Sequence, residues 1–175
     1  MPSSNLENLV KTGHLKREPR DQAEFDGLVT FGSQLFGDAK NQQNSVEGRF
    51  TLAYEAAHAF SHAALRWHGY RSEKRYMVFQ VLSFTLDIDQ PVGRFLGNCH
   101  DSRNKTDYEG GSVITKGMTE ELIKYVGILH TKVQTLTPPC AIRATSAGIA
   151  APRFPRFAAA MVCASRIVTT GRFRY

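Results

Sequence analysis

Little in this 175-residue chain could staple a fold or hold a metal. Its three cysteines, Cys99, Cys140 and Cys163, are odd in number and lack metal-ligand spacing, so neither a disulfide scaffold nor a zinc site is indicated. No apolar run approaches the roughly 20 residues of a membrane span. The opening MPSSNLENLVKTGHLKRE has no signal-peptide hydrophobic stretch. There is no Gly-rich phosphate loop after a strand and no internal repeat. These absences lead to the expectation of a soluble cytoplasmic protein with no membrane partner, no cofactor and no metal. Wholesale disorder is excluded, because apolar residues make up 42% and charged residues 22%, close to the globular average.

Acidic residues are missing from one region altogether. From Cys140 onward the chain carries six arginines, no lysine and no acid. The other 16 basic residues face 16 acidic ones in residues 1–139, so the net charge of +6 belongs entirely to the last 36 residues. A basic isoelectric point would ordinarily point to a nucleic-acid partner; here it describes a tail. This Ala/Arg/Pro-rich stretch, 140–175, reads either as a basic arm for nucleic acid or an acidic partner, or as a poorly ordered extension.

Every strongly periodic segment repeats at 3.6 residues. A short helix follows Ser4 and stops near Gly13, and residues 14–20 form a charged linker, so 1–19 stand apart from a main domain over 20–139. Asp21, with Glu24 three residues on, is a candidate N-cap for a helix carrying Phe25, Leu28, Val29, Leu35 and Phe36. The longest helix starts after Asn44 or Ser45 and runs to about Trp67. Its apolar stripe is Leu52, Ala56, Phe60, Ala63 and Trp67, and its polar stripe is Glu55, His58, His62 and Arg66. A further helix after Ser72 should bury Tyr76, Phe79, Leu82 and Leu86. Asp89 and Pro91 mark another start, with Val92, Phe95, Leu96 and Cys99 inward. The last stripe is Leu122, Val126, Leu129 and Val133. The fold expected is all-α, an up-and-down bundle of four to five principal helices.

Phe95–Gly110 (FLGNCHDSRNKTDYEG) is the most informative stretch. The buried line through Cys99 continues onto Arg103, and an inward guanidinium is expensive unless it is paired or lines a wet cleft. Asp107, one turn later, can pair with it. Asn104 adds an amide and Tyr108 a phenol. An ordinary buried Arg–Asp pair that fixes helix packing is the structural alternative. His58 and His62 share a helix face at i, i+4, yet no third ligand falls at a fixed spacing, so no metal is assigned. Arg66, Arg71, Lys74 and Arg75 cluster near Trp67, His68, Tyr70 and Tyr76. Cations interleaved with aromatics can hold RNA phosphates and stack unpaired bases; they can equally complement a helix dipole while Trp67 and Tyr76 pack inward.

The helix with Tyr54, Ala56 and Phe60, followed by Arg103, Asn104, Lys105, Asp107 and Tyr108, resembles the HEPN superfamily. The resemblance is to its small prokaryotic branch with an Arg-Asn-Lys-x-Asp-Tyr motif, over about residues 20–136. It implies a HEPN-like bundle that forms a homodimer, with the arginine motifs of two protomers meeting in a cleft. It also implies RNA as the partner. Catalytic members are metal-independent ribonucleases with an Arg-x4–6-His motif, in which arginine stabilises phosphorane-like charge and histidine moves a proton. Related proteins are toxins paired with a nucleotidyltransferase antitoxin.

Tyr108 stands where that histidine would be. A phenol with an ordinary pKa near 10 is a poor base at neutral pH beside an imidazole near 6.5. Positions 103 and 108 also lie about 140° apart on an ideal helix. His100, three residues before Arg103, is the substitute that can share a cleft with it. Three readings follow: an RNA-acting toxin with an altered motif, a non-catalytic module that binds RNA, a nucleotide or a nucleotidyltransferase, and a purely structural helical dimer.

Overall fold

Three long helices begin where a side-chain oxygen satisfies an otherwise orphaned amide. In the computed structural model Asp21 accepts from the Glu24 N–H at the head of α2 (Gln22–Ala39). Ser45 does the same for Gly48 at α3 (Val46–Trp67), and Thr115 for Met118 at α7 (Lys116–Gln134). The structure describes the backbone of residues 2–109 and 114–136, and the side chains of 4–106 and 114–136. The remaining elements are α1 (Pro2–Lys11), β1 (Lys16–Arg17), β2 (Tyr70–Arg71), α4 (Arg75–Gln80), α5 (Leu82–Thr85) and α6 (Gln90–Glu109). The described residues are thus mostly helical and of the all-α class.

α3 is the hub. α2 and α7 pack on it and on each other, while α4, α5 and α6 form a second group that also leans on it. Its small residues allow this, because Ala53, Ala56, Ala57, Ala63 and Ala64 are all fully buried. α2 comes especially close at Gly32, where an added Cβ would lie 2.8 Å from the Phe60 ring. The α7 stripe Leu122, Val126, Leu129 and Val133 is buried throughout, as its spacing predicts. Arg49, only 3% exposed, ties three helices together: its Nε donates to the Ala39 carbonyl at 2.9 Å and its guanidinium meets Glu120 at 2.8 Å.

Several expectations need correction. The single helix after Ser72 is two short ones that meet at Val81, whose backbone leaves the α region (φ −91°, ψ 2°). Phe79, Leu82 and Leu86 are buried as expected, but Tyr76 lies on the flank of a six-residue helix and is 46% exposed. Within the linker 14–20, β1 pairs antiparallel with β2, Lys16 opposite Arg71 and Arg17 opposite Tyr70; two residues are too few to display alternation. Residues 1–19 are not a separate part, because Leu6 and Leu15 join Leu65, Tyr70, Val78 and Val81 in a buried cluster. The basic tail 140–175 lies outside the described residues, as do the side chains of Asp107 and Tyr108. No helix among the described residues is long and apolar enough to cross a membrane.

Candidate functional site

The inner face of α6 changes character along its length. Gly93, Gly97, His100 and Asn104 fall at i, i+4, i+7 and i+11, which is one helical stripe. Its first half meets α4: a Cβ on Gly93 would lie 3.0 Å from the Phe79 carbonyl, and one on Gly97 3.1 Å from the Tyr76 ring. Its second half passes the start of α4 and faces α3, where the polar groups gather.

There the Tyr54 hydroxyl of α3 lies 2.7 Å from His100 Nδ1, and the Asn104 amide lies 3.2 Å from His100 Nε2. These two bonds are coupled through the ring. With Asn104 presenting its N–H to Nε2, the imidazole proton sits on Nδ1 and is donated to the Tyr54 oxygen. Burial pushes the Tyr54 phenol above its ordinary pKa, against the nearby Arg75 and Arg103 charges, so it remains a neutral partner.

Beside this pair two guanidiniums converge on one carboxylate. Arg75, the first residue of α4, reaches both Glu55 oxygens at 2.9 and 3.0 Å, and Arg103 reaches Glu55 Oε1 at 3.2 Å. The Arg103 guanidinium also sits 5.2 Å from the centre of the Tyr54 ring, a cation–π contact. The ledge is open: the Arg75 and Arg103 side chains are 42% and 27% exposed. His58 forms its floor, packed edge-on against Phe79 and next to His62. Burial, reinforced by Arg75 and other nearby cations, pulls His58 down to about 3, so it stays neutral. His62 is also lowered, chiefly by burial. Among the described residues no group of three metal-ligating side chains comes together. The neighbouring Cys99 thiol is pushed up to about 12, mainly by burial, and is an inert core group.

Of the residues singled out from the sequence, His100, Arg103, Asn104 and Arg75 are brought together. The other basic residues are not. Arg66 is 2% exposed, with Nε on Glu24 at 2.8 Å and a further donor on the Pro19 carbonyl at 2.9 Å. It therefore cannot offer a phosphate contact, and the expectation that it belongs to an RNA surface is corrected. Arg71 joins the same cluster through Glu24 and Glu18. Lys74 is exposed at the start of α4 without capping it. The sequence reading missed Tyr54 as the partner of His100 and Glu55 as the partner of two arginines. A tyrosine and a glutamate interrupting the alanine-rich face of a buried helix were the available signal.

No protein-family model matches the chain, and no curated protein or solved structure matches it either.

Proposed function

We propose that this is a HEPN-like, RNA-directed protein in which the α3–α4–α6 ledge receives a phosphodiester and His100, not residue 108, handles the proton. The observation that carries this reading is the joint placement of His100 between Tyr54 and Asn104 with Arg75 and Arg103 beside it. In the reaction the RNA 2′-hydroxyl attacks its own phosphorus and its proton passes to the imidazole. The P–O5′ bond breaks, O5′ takes up a proton, and the arginines stabilise charge on the phosphoryl oxygens. The products are a 2′,3′-cyclic phosphate and a 5′-hydroxyl. A homodimer would bring two ledges together, and a nucleotidyltransferase antitoxin would be the partner if the protein acts as a toxin.

A second reading, an RNA-binding module without catalysis, has one observation in its favour: both His100 ring nitrogens already have partners. Cleavage of labelled tRNA and mRNA in EDTA separates the two. Catalysis predicts cyclic-phosphate ends from wild type, lost in His100→Ala and Arg103→Ala and retained in Tyr108→Phe. RNA binding without cleavage by wild type, His100→Ala and Tyr108→Phe, weakened in Arg103→Ala, would establish the module. Absence of both would leave the structural dimer.

A further inference from the structure

Between α4 and α6, about two helical turns before His100, lies a cleft of about 330 Å³, lined by Met77, Gln80, Phe84, Asp89, Gly93 and Arg94 among others. Gly97 and Gln80 stand between the cleft and the ledge. Gly97 lies under the edge of the Tyr76 ring and within 3.6 Å of the Gln80 amide, measured from an added Cβ, and Gln80 lines the cleft. One residue before Tyr76 is Arg75, already on the ledge. Along α6, Gly93 precedes His100 by seven residues, or about 10 Å at the helical rise.

We propose that the seam between α4 and α6 is a subsite for an unpaired base of single-stranded RNA, with Tyr76 as the stacking platform and the cleft behind it holding the base edge. The inference rests on the ledge being the phosphate site. Three features support it. Tyr76 is a large aromatic whose ring edge rests on α6 at Gly97 while 46% of the residue stays exposed, which leaves ring surface open to a base. Gln80, Asp89 and Gln90 line the cleft with amide and carboxylate groups suited to the edges of a base. The volume is at the lower end for small-ligand sites and admits one ring system, whereas a paired base within a duplex could not enter. The 10 Å offset from His100 places that base within one or two nucleotides of the phosphate on the ledge.

The test uses the full chain and a labelled 2′-O-methyl RNA hexamer, which cannot undergo 2′-hydroxyl attack. Stacking predicts that Tyr76→Ala weakens hexamer binding about tenfold while Tyr76→Phe binds as wild type. A blunt duplex of the same sequence should bind more weakly than the single strand. In ¹H–¹⁵N spectra the hexamer should shift the Gly93 and Gly97 amides, and inorganic phosphate should not. Unchanged hexamer affinity in Tyr76→Ala, or hexamer binding without movement of those amides, overturns the base subsite and leaves the phosphate ledge intact. Failure of both phosphate and hexamer to bind removes the ledge itself, and the subsite with it.

Discussion

Two clusters in this molecule share a plan, a glutamate held by two arginines from separate elements, and they differ in how they are closed. Glu24 is held by Arg66 of α3 and Arg71 of β2, with Glu18 as a second acid and the Glu18 and Pro19 carbonyls taking further donors. Glu55 is held by Arg75 and Arg103 on a half-open ledge beside an imidazole. The first arrangement immobilises a guanidinium inside the fold. The second leaves two guanidiniums within reach of an arriving anion. Convergent arginines alone do not mark a site; exposure and the neighbouring chemistry do.

The comparison can be broken by substitution. Arg66→Met leaves Glu24 with Arg71 alone and removes the donor from the Glu18 and Pro19 carbonyls, and should cost about 3 kcal/mol in urea unfolding. Were it silent, the closed cluster would have no structural role. Acid titration is the next largest effect and reports on the floor of the open cluster. His58 refuses a proton in the folded state until about pH 3, whereas the unfolded chain takes one near pH 6.5. Its contribution is therefore complete above pH 6.5 and falls as pH drops toward 3, by about 1.4 kcal/mol per pH unit. His58→Leu should flatten that part of the stability profile between pH 6.5 and 4.5.

Smaller effects sharpen the contrast. Tyr54→Phe removes the partner of His100 Nδ1 and should cost about 1 kcal/mol, with a shifted pH profile for any RNA cleavage. Arg75→Ala breaks only a partly exposed pair and should change stability by less than about 1 kcal/mol, while the phosphate binding proposed for the ledge should be lost. In the closed cluster, burial opposes ionisation of Glu24, but the Arg66 and Arg71 hydrogen bonds prevail and hold its carboxyl below the usual range. That stability is present above about pH 4.5 and is lost as pH falls through the lowered value. Glu24→Gln should remove it.

Sequence periodicity made the long helices legible because their information is local. The Asp21 cap, the Ser45 start and the α7 stripe need only neighbours within a turn or two. Arg66 was misread for the opposite reason: its partners Glu18 and Glu24 are more than forty residues away, and on α3 alone it extends a polar stripe. Tyr54 and His100, 46 residues apart, could not be joined by spacing either. The break at Val81 escaped because Phe79, Leu82 and Leu86 remain buried on both sides of it, which preserves a helical pattern across two helices. Tyr76 was then assigned inward with them.

The hub position of α3 has a consequence for motion at the ledge. Tyr54, Glu55 and His58 ride on the most enclosed helix, whose amides should be among the slowest in the protein to exchange with deuterium. Arg75 heads a six-residue helix with no side-chain cap and should exchange with the fast population. One wall of the ledge thus stands on the slowest-exchanging helix, and the other on an uncapped helical turn held to the core by the buried Val78 and Phe79.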